Sequence, residues 1–295
     1  MKIGIVGAEN SHSIAVAKTL NVEKACGSAR VALIWGETRA FAEKAALEGQ
    51  IPEIVKKPQD MIGRVDGVMI DHRHARYHIP VADMFVDAGM PVFVDKPFSW
   101  TVKEGWDLLI KARKKGIPVT SFSAIPEQSA FQKDFRRQIR AAGKILSIET
   151  SGPCDFKSKW GGVFFYGIHQ VDSLIKAFGT GVKSVQVVKA SKGNPNAVAI
   201  LNYEEGGAIV SMNFIAQGKS AFIFRAFGEK GMAFYENKYD PNPYLTGVKK
   251  FLGMFRTGKE PFSLKEILEP IAVLEALDKS WKKGKKVNIK QIPDI

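Results

Sequence analysis

Short apolar runs alternate with amphipathic segments over the first 120 residues, and this alternation constrains the fold more than any other feature. Such runs, bounded by turn residues, are typical of strands that are buried on both faces. Strands that alternate with helices form βαβ units and a doubly wound parallel sheet. The predicted strands are Ile3–Val6, Val31–Trp35, Val68–Ile70, Val92–Val94 and Val119–Phe122. The predicted helices are Ser13–Leu20, Arg39–Glu48, Ile79–Ala88 and Val102–Lys115.

After Phe122 the pattern changes from alternating elements to successive strands. It predicts an open, largely antiparallel sheet, with a hairpin turn at Glu205-Gly206-Gly207. The predicted strands are Ile145–Ser151, Val182–Lys189, Ala197–Tyr203, Ala208–Phe214 and Ala221–Gly228. The predicted helices are Glu127–Ala142, Gln170–Phe178, Thr246–Thr257 and Leu264–Lys282. We therefore predict an α/β protein with a Rossmann domain over 1–122 and an α+β domain over 123–295, whose last helix could pack back on the first domain.

Composition narrows the function classes. The net charge is +13, but the lysines are spread along the chain without a recognisable nucleic-acid module, so we expect no nucleic-acid partner. A solvated basic surface is the favoured explanation of this charge, and an anionic substrate is the alternative. No apolar run is long enough to span a bilayer, and Cys26 and Cys154 show no metal-binding spacing. These observations favour a cytoplasmic protein that acts on a small molecule.

The loop Gly7-Ala8-Glu9-Asn10-Ser11-His12 follows the first strand, where dinucleotide-binding chains carry GxGxxG. Only Gly7 is retained, since Glu9 takes the second glycine position and His12 the third. A carboxylate near a pyrophosphate costs about 1 kcal/mol or more. Free N–H groups at the following helix start would still attract a phosphate. The loop predicts cofactor contacts from Gly7, Glu9, Asn10, Ser11 and His12.

The second strand is followed by Gly36-Glu37-Thr38-Arg39. An acid at this place binds the ribose hydroxyls of NAD, whereas an arginine accommodates the 2′-phosphate of NADP. Glu37 and Arg39 therefore favour opposite cofactors, and the sequence predicts NAD or NADP without distinguishing them. Thr38 also fits the N-cap of the next helix.

With these residues the chain resembles the Gfo/Idh/MocA oxidoreductase family, named for glucose–fructose oxidoreductase and inositol dehydrogenase. Ala88–Pro97 is similar to the family's AGKHVxxEKP, with Asp95 in place of glutamate, and Gly161–Asp172 is similar to GGGxxxDxGxHxxD. The resemblance implies a Rossmann domain followed by an open mixed sheet. It also implies NAD(P)-dependent oxidation of a hydroxyl on a sugar, polyol or related compound, bound between the domains. Because an exposed sheet face needs cover, we expect a homodimer or homotetramer through the second sheet.

The resemblance also assigns residues. It implies that Lys96 contacts substrate and nicotinamide and that His169 is the acid/base. We expect Lys96 to polarise the reacting hydroxyl and His169 to take its proton. The family's aspartate four residues before the histidine is Phe165 here, which leaves Asp172 as the nearby carboxylate expected to orient His169 or to balance charge in the site. Further cofactor contacts are expected from the turn after the predicted strand Val68–Ile70, namely from Asp71, His72 and His78.

Two other groups of residues carry possible chemistry. Lys159 and Trp160 precede Gly161 and could hold an anionic or sugar-like substrate, with the indole stacked on a ring face. His74 and His78 are four residues apart and could share a helix face as metal ligands, which suggests a metal hydrolase. No second ligand cluster is visible, so we expect no metal.

The function predicted from the sequence is hydride transfer between a nicotinamide cofactor and a small hydroxyl or carbonyl compound. Two alternatives stay open. One is a non-catalytic relative that binds a nucleotide or a sugar. The other is a hydrolase or lyase that oxidises its substrate only transiently with tightly held NAD.

Overall fold

The computed structural model describes residues 1–203 and 207–293. The chain forms two compact units, one of residues 1–122 and 242–263, the other of residues 123–241 and 264–295. The segment 242–263 therefore belongs with the Rossmann unit and not with the predicted domain 123–295. Of the turn predicted at Glu205-Gly206-Gly207, the first two residues lie outside the described part of the chain.

The first unit contains a six-stranded parallel sheet covered by helices. Its strands are β1 (Lys2–Val6), β2 (Arg30–Trp35), β3 (Glu53–Ile54), β4 (Gly67–Ile70), β5 (Val92–Val94) and β6 (Val119–Thr120). Its helices within the first 122 residues are α1 (Ser11–Ala17), α2 (Arg39–Gly49), α3 (His78–Asp87) and α4 (Val102–Lys114). The sequence did not predict β3, because a strand of two residues is too short to show a hydrophobic period.

The strand order β3-β2-β1-β4-β5-β6 confirms the doubly wound sheet. The order changes direction between β1 and β4, and such a point opens a crevice beyond the carboxyl ends of the strands. Val6 pairs with Ile70 in parallel register, so Gly7 and Asp71 leave the sheet side by side. β1 and β4 read as continuous apolar runs because their inner residues are buried on both faces.

The second unit and the end of the chain supply the remaining elements. The strands are β7 (Ile145–Pro153), β8 (Ser184–Lys189), β9 (Ala197–Asn202), β10 (Ile209–Ile215), β11 (Ile223–Gly228), β12 (Gly231–Glu236) and β13 (Val287–Asn288). The helices are α5 (Arg136–Ala142), α6 (Val163–Phe178), α7 (Leu245–Thr257) and α8 (Leu264–Lys283). The helix predicted over Glu127–Ala142 is only partly α-helical, since Phe131–Phe135 is wound as a π-helix ahead of α5.

Helix α7 joins the first unit through its apolar face. Val248, Phe251 and Leu252 are buried in the core cluster that also contains residues of β1 and β2. The Phe251 ring stacks on Phe93 of β5 at 4.7 Å. Glu260 anchors the end of this segment, because its carboxylate accepts hydrogen bonds from the Arg113 side chain and the Val119 N–H. The late segment therefore completes the core of the Rossmann unit.

The second unit contains a seven-stranded sheet of order β12-β11-β7-β10-β9-β8-β13. Its pairs are antiparallel except β7 with β10, so the predicted open, largely antiparallel sheet is confirmed. Phe227, Met232 and Phe234 on one face are 37–55% exposed. Oligomerisation through this face stays a prediction. Throughout residues 1–203 and 207–293, no helix is both long and apolar enough to cross a membrane.

Candidate active site

Gly7 fixes the backbone of the first loop at the carboxyl edge of the parallel sheet. Its φ of +110° is strained for any residue with a side chain. A Cβ at this position would lie 2.6 Å from the carbonyl carbon of Asp71 and 2.7 Å from the His72 nitrogen. The loops after β1 and β4 can therefore approach each other only because residue 7 is glycine.

Glu37 reaches from the end of β2 into the same loop. Its Oε2 accepts hydrogen bonds from the backbone N–H groups of Ala8 (2.8 Å) and Glu9 (3.0 Å). Its Oε1 is buried, and the described residues provide no hydrogen-bond partner for it. A buried acceptor without a donor is costly, so this oxygen suits a hydroxyl donor from a ligand.

A polar network links the loops after β1, β4 and β5. Asn10 Nδ2 donates to Asp71 Oδ1 at 2.9 Å and to Asp95 Oδ2 at 3.1 Å. The His12 Nδ1 atom lies 3.0 Å from both carboxylate oxygens of Asp95. The residues at both altered positions of the loop pattern thus take part in the network: the His12 side chain contacts Asp95, and the Glu9 N–H donates a hydrogen bond to Glu37.

Burial and neighbouring charges set the protonation of this network. Burial raises the pKa of Asp71, and the nearby Asp95 carboxylate raises it further. Burial also opposes ionisation of Asp95, but the contact with His12 and the charges of Lys96 and His78 together lower the Asp95 pKa. Burial lowers the pKa of Lys96, partly offset by the charges of Asp95 and Asp71. Asp95 is therefore the ionised carboxylate, and Lys96 gives up its proton more easily than a surface lysine.

His74 and His78, after β4, do not share a helix face as a pair of metal ligands would. Both ring nitrogens of His78 lie near carbonyl oxygens, Nδ1 2.8 Å from Pro97 and Nε2 2.7 Å from His72. His74 precedes α3 and accepts a hydrogen bond from the Arg76 N–H, so it shares no helix face with His78. The structure instead brings a different set of possible ligands together. His12, Asp71 and Asp95 place ligand atoms within 4.8 Å of one another.

His72 predicts an acid sensitivity of the fold. Burial lowers its pKa to about 3 from an ordinary 6.5. Between these values the unfolded chain binds a proton that the folded chain does not, so the unfolding free energy falls as pH falls. The slope from one histidine is at most about 1.4 kcal/mol per pH unit. We expect His72→Phe to flatten the dependence of denaturant midpoint on pH between 6 and 4 (roughly the middle of this window). Equal slopes of denaturant midpoint against pH in the two proteins would contradict this prediction. Above pH 7 these slopes should differ little between the two proteins.

The other predicted cofactor residues lie at the starts of α1 and α2. Ser11 is the first residue of α1, and Asn10 precedes it without capping the helix through its side chain. Thr38 accepts a hydrogen bond from the Phe41 N–H and so caps α2. Arg39 is exposed and pairs with Glu43 at 2.7 Å. A phosphate contact by Arg39 stays a prediction.

In the second unit, α6 begins at Val163, seven residues before the predicted start at Gln170. His169 therefore lies inside a helix and not at the end of a glycine-rich loop. Gly167 lies inside α6 at a position with no room for a side chain. A Cβ there would lie 2.8 Å from the Val163 side chain and 3.4 Å from the Cys154 sulphur. Gly162, with φ of +58°, packs its Cα against the Phe156 carbonyl and sets the start of α6.

His169 is buried and held on several sides. Its Nδ1 atom lies 2.7 Å from the Ser123 hydroxyl oxygen. Its ring contacts the aromatic rings of Tyr166 and Phe222, with centroids 5.5 and 5.2 Å away. The imidazole is consequently fixed in one orientation by a hydrogen bond and by packing.

Ser123 contacts His169 but was not predicted from the sequence. It directly follows the predicted strand Val119–Phe122, and this position at a strand end could have indicated a role in the site. Asp172 Oδ2 accepts a hydrogen bond from the Ser123 N–H at 2.8 Å. Asp172 was expected to orient His169. The structure shows that it holds the backbone of the residue that contacts the imidazole.

The predicted substrate residues lie in the turn ahead of α6. The Lys159 ammonium lies 4.8 Å from the centre of the Trp160 ring, a cation–π contact on an exposed turn. Phe165 occupies the α6 position one turn before His169, and its ring lies 6.4 Å from Trp160. The start of α6 is therefore surrounded by aromatic rings, whereas the family that the chain resembles carries a carboxylate at the position of Phe165.

Comparison with known proteins supports the reading of the first unit. Residues 1–122 match the Gfo/Idh/MocA family model, an oxidoreductase family with an NAD-binding Rossmann fold. This match confirms the family resemblance predicted from the sequence. No curated protein matches the chain significantly.

Solved structures share the fold. The myo-inositol dehydrogenase from Lactobacillus casei, in complex with NAD(H) and myo-inositol, has a TM-score of 0.85 at 14% identity, covering 100% of this chain and 98% of that one. A putative myo-inositol dehydrogenase from Sinorhizobium meliloti 1021 has 0.82 at 18%, covering 98% and 100%. The biliverdin reductase from Synechocystis sp. PCC 6803, in complex with biliverdin and NADP+, has 0.74 at 18%, covering 95% and 98%. At these identities the likeness concerns the fold alone.

Proposed function

We propose that this chain, whose first 122 residues belong to the Gfo/Idh/MocA oxidoreductase family, transfers a hydride between NAD and a hydroxyl or carbonyl carbon of a small molecule. The substrate class is a sugar, polyol or related compound, in line with the myo-inositol bound by the Lactobacillus casei relative. The net charge of +13 favours anionic members of this class. The observation that carries the proposal is the arrangement of Gly7, Glu37 and Lys96 at the carboxyl edge of a family-matched Rossmann sheet.

The residues present fit an NAD molecule. Gly7 lets the loops after β1 and β4 pack together at the edge of the sheet where a dinucleotide binds, and the orphaned Oε1 of Glu37 can accept a hydrogen bond from a ribose hydroxyl. When bound, the nicotinamide supplies the acceptor or donor of the hydride. In the first unit, we assign to Lys96 the stabilisation of charge that develops on a substrate oxygen. In the second unit, we assign to His169 the exchange of a proton or a hydrogen bond with the substrate.

The first test is cofactor binding. Titration of the protein with NADH, followed by nicotinamide fluorescence, should show saturable binding. Absorbance of the reduced nicotinamide then reports turnover on inositols, sugars and sugar acids. If neither NADH nor NADPH binds, the proposal fails. Binding without turnover on any of these compounds would favour the non-catalytic relative, to which Phe165 also points. A cofactor that co-purifies and is never released in reduced form would favour a hydrolase or lyase.

Glu37 is expected to select NAD over NADP. A 2′-phosphate would meet its buried carboxylate, and the resulting repulsion should weaken NADPH binding by about tenfold or more relative to NADH. We expect Glu37→Ser to weaken NADH binding by about tenfold and to narrow this preference. Glu43→Ser, which removes the surface partner of Arg39, is the matched control and should change neither affinity. Equal affinity of the unmodified protein for both cofactors would contradict the assignment.

A further inference from the structure

Among the described residues, the Ser123 hydroxyl has one acceptor to which it can donate its proton in a hydrogen bond. Its oxygen already accepts a hydrogen bond from the Ile125 N–H at 3.2 Å. Among the described residues, the atom at hydrogen-bond distance that can accept from it is His169 Nδ1, at 2.7 Å. That separation is typical of a hydroxyl donor and short for an imidazole N–H donor. The contact is therefore best formed with the serine donating and the histidine accepting.

We infer that Ser123 holds the neutral imidazole of His169 in the tautomer that carries its proton on Nε2. A neutral imidazole has one N–H, so a nitrogen that accepts from the serine leaves the other protonated. The opposite tautomer would donate from Nδ1 to the Ser123 oxygen. The serine proton would then lose its acceptor in a buried place, which is unfavourable.

The chemistry of the partner decides which nitrogen of the imidazole carries the proton. A carboxylate only accepts hydrogen bonds, so beside Nδ1 it would keep the proton on Nδ1 and leave Nε2 as a base. Here the group beside Nδ1 is the Ser123 hydroxyl, which can donate. The neutral His169 is therefore a hydrogen-bond donor at Nε2.

This tautomer changes the role of His169 within the proposed function, on which this step rests. A neutral His169 with its proton on Nε2 cannot take a proton from a substrate hydroxyl at that nitrogen. It can instead donate a hydrogen bond from Nε2 to a substrate oxygen.

The tautomer can be measured without cofactor or substrate. The chain has five histidines, so long-range ¹H–¹⁵N NMR of the full-length protein with labelled histidine resolves the rings, and loss of a signal in His169→Gln assigns His169. We expect the protein to show the Nε2–H tautomer, Ser123→Thr to preserve it, and Ser123→Ala to give a mixture of tautomers. Ser173→Ala is the matched control. It removes a buried hydroxyl of α6 that has no partner among the described residues and should leave the signal unchanged. A predominant Nδ1–H signal in the unmodified protein would overturn the inference.

Turnover tests the role. Glutamine can donate from its amide nitrogen near the place of Nε2 but cannot act as a base. His169→Gln should therefore retain activity within about tenfold of the unmodified enzyme, while His169→Ala loses about a hundredfold. Equal loss in both variants would overturn the donor role and restore His169 as the base. A protein with the expected NMR signal but no turnover would instead refute the proposed function and leave the tautomer assignment intact.

Discussion

Replacing Lys96 by methionine should lower kcat/KM for the substrate by about a hundredfold or more, equivalent to about 2.7 kcal/mol of transition-state stabilisation. Lys96 is 7% exposed and follows β5 at the sheet edge. Methionine keeps the length and apolar bulk of the side chain but removes the amine to which we assign the stabilisation of charge on the substrate oxygen. Turnover with NAD as cofactor measures the effect.

The control for Lys96 is a lysine outside the site. Lys111 of α4 bridges Asp83 and Asp87 on the protein surface, and Lys111→Met should leave turnover unchanged. Binding of NADH to the Lys96→Met variant should persist within several-fold, since Gly7 and Glu37 are intact. If this variant keeps more than about a third of the activity, less than 1 kcal/mol is lost, and Lys96 serves only as a charge partner of Asp95.

Local patterns predict the sheet of the first unit and the residues at its edge. A parallel strand is buried on both faces, so its apolar run is visible without knowledge of its neighbours. The carboxyl ends of such strands meet at one edge, so Gly7, Asp71 and Lys96 could be grouped from the sequence. The same reasoning fails for β12. This strand is half exposed, and its pairing with β11 defines it more than its own pattern does.

Contacts between residues that are far apart in the sequence cannot be predicted from local patterns. The bond between Ser123 and His169 joins residues 46 positions apart, and neither residue has a pattern that indicates the other. His12 illustrates a second limit. As a substitute for a packing glycine it seemed a defect, yet its imidazole holds Asp95 from 83 positions away. The role of a polar residue in a closely packed loop depends on its hydrogen-bond partner, and the fold determines that partner.

Gly7→Ala should destabilise the first unit by about 3 kcal/mol, the sum of backbone strain and a clash in a packed region. The added Cβ meets backbone atoms of Asp71 and His72, which cannot rotate away as a side chain could. Relief would require the loops after β1 and β4 to separate, which would shift Asp71 and its contact with Asn10. We therefore expect a fall in melting temperature on the order of 5–10 °C and loss of NADH binding even in the protein that stays folded.

Gly89→Ala separates the two causes of this effect. Gly89 also has a positive φ, +75°, but a Cβ there would find no atom within 4 Å. Its substitution should cost only the strain of the left-handed conformation, about 1 kcal/mol, and should leave NADH binding unchanged. Equal melting shifts for the two variants would mean that conformation alone decides the cost at Gly7. A larger shift for Gly7→Ala with loss of binding would show that contact between the two loops builds the cofactor edge of the sheet.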